Sequence, residues 1–126
     1  MKFEPLRMTR EYFDFRNSDR IVNFAKANGM QVRGHTLVWH NALPRWLTEG
    51  KFSQAELEAI LREHILTVVG RYKGRVAAWD VVNEAVSDDG FPRATIWLRG
   101  IGSKYIDLAF QWAHEADPEA QLFYND

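Results

Sequence analysis

Two adjacent polar residues, Asn83 and Glu84, follow the apolar run Trp79-Asp80-Val81-Val82, where a carboxyl group can donate or accept a proton. By position alone the pair serves equally well as loop or helix-capping residues. Cleavage of a glycosidic bond needs a second carboxyl, about 5–5.5 Å away for retention or 6.5–9.5 Å for inversion. Asp80 does not supply it, because four residues of extended chain at about 3.3 Å each set the two Cα atoms about 13 Å apart. Asp126, at the end of the next expected strand, comes nearer in principle, since neighbouring strands run about 4.8 Å apart. His35 and His40 raise the question of a metal. Their odd spacing points them to opposite faces of a strand, and the chain has no cysteine and no His-Glu-x-x-His helix. A buried histidine, or one donating to ligand oxygens, fits better. Trp39 and Trp46 flank the loop after that strand, where an indole either walls a sugar subsite or packs beneath the loop. Lys2 reads as an ordinary surface lysine.

The elements that must position these residues alternate along the chain. After an irregular opening, Asn17 or Ser18 is expected to cap a helix running to about Asn28, with Ile21, Val22, Phe24 and Ala25 as its apolar face and Asn28-Gly29 as its stop. A β-rich segment over 30–40 leads into the loop 41–46. Ser53-Gln54-Ala55-Glu56 is a capping-box pattern, and Leu57, Ile60, Leu61, Ile65, Val68 and Tyr72 follow at helical spacing until Gly74. Residues 76–82 form a strand apolar on both faces, the pattern of a parallel sheet covered by helices. A short helical piece over 95–98, a helix over about 104–115 stopped by Asp117-Pro118, and a strand over 121–124 complete the order. Helix-strand alternation implies right-handed βαβ units in one parallel sheet. Three such strands leave two open edges, and a closed (β/α)8 barrel takes about 250 residues. One domain of unfinished α/β architecture is therefore expected over 1–126.

Composition narrows the partners. Among 126 residues, 17 acidic side chains face 16 basic ones, for a net charge of −1, and no basic stripe is present to collect phosphates. Nucleic acid is thus not an expected partner. The longest uncharged stretch, 34–44, is far shorter than the roughly 20 residues of a membrane span, so no membrane association is expected either. Charges scattered through the first twenty residues exclude the apolar core of a signal peptide there. Aromatic residues make up 13%, including five Trp, which suits flat, hydroxyl-rimmed ligands as well as core packing.

Three segments in order, 34–40 (Gly-His-Thr-Leu-Val-Trp-His), 79–85 (Trp-Asp-Val-Val-Asn-Glu-Ala) and 123–126 (Phe-Tyr-Asn-Asp), resemble the signature segments of glycoside hydrolase family 10, the endo-1,4-β-xylanases. The resemblance extends over the whole chain and implies a partial (β/α)8 TIM barrel, roughly its third to fifth strands. It implies retaining hydrolysis of xylan and xylo-oligosaccharides without metal or organic cofactor. By matching position, Glu84 is the general acid/base, a role that requires a carboxyl able to hold its proton near neutral pH. Asn83 contacts the sugar 2-hydroxyl, and Lys2, His35 and Trp39 line the subsites on the non-reducing side. His40, Trp79 and Tyr124 match supporting or site-lining positions. Ala42 stands where the family usually carries Gln, removing one polar contact to the distal sugar. The nucleophile is expected on a later strand beyond Asp126, so Asp126 is not that residue. The chain alone is then expected to be inert, and the full-length protein to be an exported monomer. A related β-1,4-glucanase and a non-catalytic carbohydrate-binding module are the other two readings.

Overall fold

A computed structural model describes all 126 residues. Three parallel strands, β1 (Arg33–Val38), β2 (Ala78–Asn83) and β3 (Gln121–Asn125), form one sheet in the order β1-β2-β3. The helices are α1 (Phe3–Leu6), α2 (Arg16–Ala27), α3 (Arg45–Thr48), α4 (Gln54–Arg71), α5 (Ile96–Ile101) and α6 (Tyr105–Ala116). Each strand is thus reached through a helical crossover, as the alternation implied. The central strand β2 is buried along almost its whole length, which is why it is apolar on both faces. The outer edges of β1 and β3 carry no partner strand.

The helix α4 starts as its sequence dictates. Ser53 Oγ accepts from the Glu56 N–H, and the Glu56 carboxylate accepts from the Ser53 N–H at 2.7 Å, so two otherwise orphaned donors are satisfied together. Leu57, Ile60, Leu61, Ile65, Val68 and Val69 then bury against the sheet and α6. Each such side chain contributes about 1.5–3 kcal/mol when taken from water.

Four expectations at the amino-terminal half are corrected. The opening is not wholly irregular, since α1 forms there, and the loop 41–46 ends inside α3. Helix α2 begins before the expected caps: Phe15 is its N-cap position, and the Asp14 carboxylate accepts from the Arg16 N–H at 3.1 Å. Ser18 serves another purpose, being buried and accepting from the Tyr72 hydroxyl at 2.7 Å. The buried stripe of α2 is Ser18, Val22 and Ala25, while Ile21 and Phe24 lie exposed. The face of α2 that carries Ser18, bonded to Tyr72, is thus the one turned to the core.

Beneath α1, His64 is fully buried, stacked on the Phe3 ring at 3.7 Å and facing Phe13 at 5.9 Å. Neither imidazole nitrogen has a hydrogen-bond partner. Burial, reinforced by the positive charge of Arg7, holds its pKa down at about 3. Because the unfolded chain binds this proton near pH 6.5 and the native chain refuses it, stability is fully present above about pH 6.5. It is lost progressively as the pH falls from there toward 3. Replacing His64 with Phe, which preserves the stack, is expected to flatten the pH dependence of the urea midpoint over that window. An unchanged slope between pH 6 and 4 would show that another group carries it.

Candidate active site

The site forms at the carboxyl ends of β1 and β2, where parallel α/β folds collect their ligands. Below it on the strands lies an ionic cluster in which a buried carboxylate meets two half-exposed basic side chains. Asp80, buried on β2, accepts from the Arg33 guanidinium and lies 2.9 Å from Nδ1 of His35 on β1, its register partner. Thr36 Oγ1 donates to the Asp80 carbonyl oxygen at 2.9 Å. Burial acts against ionisation of Asp80, yet the hydrogen bonds from Arg33 and His35 outweigh it and leave its pKa below the ordinary value. An ionised Asp80 can only accept, so Nδ1 of His35 carries the proton and Nε2 is left free for a ligand. Asp80 is therefore a positioning group for His35 and no partner carboxylate for Glu84.

Trp79 lies beside Gly34, its register partner, and is fully buried. A Cβ on Gly34 would sit 2.2 Å from Trp79 Cε3, so this position accepts only glycine. Trp79 fills the layer under the site and does not line it.

At the end of β2 the chain turns at Glu84, whose φ of +54° places a non-glycine residue in the left-handed region. The Glu84 N–H donates to the Asn125 carbonyl oxygen at 2.8 Å, and Arg93 Nε donates to the Glu84 carbonyl oxygen at 2.9 Å. These two bonds clamp the turn from both sides. The carboxylate then accepts from the indole Nε1 of Trp39 at 2.8 Å, and Nε2 of His40 stands 4.0 Å away. Burial and the nearby Arg93 charge lower the His40 pKa, against a smaller upward pull from Glu84, which favours the neutral imidazole. The Asn83 amide oxygen accepts from Asn125 Nδ2 at 2.7 Å, which ties the end of β2 to β3 beside the Glu84 turn.

Lys2 is exposed, and its Nζ lies 5.0 Å from the centre of the Trp39 ring. Lys2, His35, Trp39, Asn83, Glu84 and His40 thus converge. Tyr124 braces the rim from β3: its hydroxyl accepts from the Val86 N–H at 3.2 Å and donates to Asp126 Oδ2 at 2.7 Å. Asp126 is occupied in that bond. Trp46 belongs to another group, donating to the Arg7 carbonyl oxygen at 3.0 Å and packing edge-on against Phe52. Ala42 has a φ of +51°, and its carbonyl oxygen accepts from the Glu4 N–H, tying the loop to α1. Arg93, Asn125 and Arg33 were not singled out by sequence. Their roles act on backbone atoms or across strands, and neither leaves a mark in local spacing.

A parallel sheet wound with helices, carrying a solvent-reaching carboxylate at a strand end among indole, imidazole and amide groups, defines a strip of an α/β barrel with its candidate active site at the strand ends. The profile of Glycosyl hydrolase family 10 matches residues 1–126, and the chain belongs to that family. Endo-1,4-beta-xylanase B of Thermotoga neapolitana is 52% identical over the whole chain, and the beta-1,4-xylanase of Dictyoglomus thermophilum is 53% identical. The chain spans only 36% of the length of each. Among solved structures, native xylanase 10B from Thermotoga maritima superposes with a TM-score of 0.98 at 50% identity, over 99% of this chain and 39% of that one. The three strands are therefore consecutive units of a (β/α)8 barrel.

Substituting Asp80 with Asn keeps the shape but removes the negative charge that Arg33 and His35 share. The expected loss is about 2 kcal/mol of unfolding free energy, the scale of hydrogen bonds to a charged group. Urea unfolding at pH 7 measures it. The deficit is expected to shrink as the pH falls below about 4, where the carboxylate of the unfolded chain takes up its proton while the native one, its pKa held lower, still resists.

Proposed function

We propose that the full-length protein is a retaining endo-1,4-β-xylanase and that Glu84 is its general acid/base. The observation that carries this reading is the clamped, left-handed turn that presents the Glu84 carboxylate to solvent between Trp39 and His40. Protonated Glu84 gives its proton to the glycosidic oxygen as that bond breaks. A carboxylate from a later strand attacks the anomeric carbon and forms a glycosyl-enzyme. Glu84, now ionised, takes a proton from the water that releases it. Asn83 contacts the 2-hydroxyl of the sugar being transferred, and His35 Nε2, Lys2 and Trp39 hold the sugar beyond it. The xylobiose complex of the related xylanase 10B from Thermotoga petrophila, superposing with a TM-score of 0.98, supports a short β-1,4-xylo-oligosaccharide as ligand. A polymeric substrate too large to enter a cell also argues for an exported enzyme, and we expect that enzyme to be a monomer.

Exchanging residues 1–126 for the matching segment of the Thermotoga neapolitana xylanase tests the assignment with a nucleophile in place. The exchanged enzyme is expected to hydrolyse xylan, and Glu84→Gln in it to lower kcat/KM by about 10²–10⁴-fold. Activity within threefold of the parent exchange would remove Glu84 from the role. The 126-residue chain alone is expected to give no steady turnover, since it carries one of the two carboxyl groups that retention requires.

A further inference from the structure

Beside the active site, on the far side of His40, lies a second cleft of about 310 Å³. His40, Thr48, Arg93, Thr95 and Arg99 supply its polar lining, and no Asp or Glu contributes to it. Neither guanidinium is ion-paired, which is also true of Arg10, Arg20 and Arg75, but Arg93 and Arg99 share this one cleft. Arg93 spends two N–H groups on the carbonyl oxygens of Glu84 and Val86, and Arg99 donates to that of Ala94. Both arginines therefore hold unused donors. Two guanidinium groups with no ion-pair partner and an imidazole beside them face this cleft, while the Thr48 hydroxyl bonds the carbonyls of Pro44 and Arg45 and the Thr95 hydroxyl caps α5, so the charge of the lining is positive and suits a negatively charged ligand.

We propose that this cleft binds a small oxyanion, either a free one or the carboxylate of a uronic acid substituent on the xylan chain. The second source rests on the proposed xylanase activity, and the first does not. The cleft shares two residues with the active site: His40, with Nε2 4.0 Å from the Glu84 carboxylate, and Arg93, which clamps the Glu84 turn. Occupancy would offset the Arg93 charge that now bears on His40. The same cleft would also distinguish acidic from neutral xylan.

Isothermal titration of the 126-residue chain with inorganic phosphate, with unsubstituted xylotriose and with a uronic-acid-substituted xylotriose tests the proposal. Each titration is repeated with Arg99→Gln and with Thr48→Val, two independent changes in the lining. Phosphate binding weakened at least tenfold by Arg99→Gln and also weakened by Thr48→Val supports a site for free oxyanions, even where neither sugar binds and the xylanase reading fails. Tighter binding of the substituted than the unsubstituted sugar, with that preference lost in Arg99→Gln, supports the substrate carboxylate as its occupant. The proposal is overturned if neither anionic probe binds, or if both substitutions leave anion binding unchanged.

Discussion

The left-handed backbone at Glu84 is the constraint around which the site is arranged. A residue with a Cβ in that region costs on the order of 1–3 kcal/mol and persists only where its surroundings fix it. Here they do so through hydrogen bonds on both sides of the turn, one reaching the Asn125 carbonyl on β3 and one coming from Arg93 in the following loop. The position of the Glu84 turn is thus set by its own main-chain N–H and carbonyl, the Asn125 carbonyl and the Arg93 side chain. Its side-chain partner, Trp39, is fixed independently, because its carbonyl oxygen accepts from Trp97 Nε1 at 2.9 Å. Loosening any of these segments moves the Glu84 carboxylate, even though none of them bonds to that carboxylate except Trp39.

Much of the scaffold was legible in sequence because its signals are local. The capping box at Ser53, the helical spacing of Leu57 to Val68 and the doubly apolar strand around Val81 each follow from nearest neighbours, and the structure keeps all three. The failures share a cause as well. Ser18 looked like a cap, but its hydroxyl meets Tyr72, 54 positions away, so Ile21 and Phe24 lost the burial that their helical pattern suggested. Lys2 is exposed as expected, but the fold also brings the Trp39 ring to its Nζ, which no local spacing shows. The candidate site was read through ordered motif segments, while its supports were invisible there. Arg93 donates to carbonyl oxygens and Asp80 closes an ion layer across strands, interactions that exist only once the chain is folded.

The arrangement of cations explains how one strand can carry two carboxylates with different tasks. Asp80 and Glu84 lie four residues apart on the same segment, and the chain directs its charge-paired donors to the first of them. Arg33 and His35 both reach Asp80, which stays ionised though buried and fixes the orientation of His35. Arg93 lies close to Glu84 but donates to its carbonyl oxygen, so the carboxylate meets a neutral indole N–H and a neutral-leaning imidazole. A guanidinium bonded directly to a carboxylate stabilises its charge and opposes protonation. The proposed acid/base role needs a carboxylate free of such a pair. Holding Arg93 on the backbone supplies rigidity at the turn without a direct ion pair to the Glu84 carboxylate, and it leaves the outer face of that guanidinium available to the neighbouring cleft.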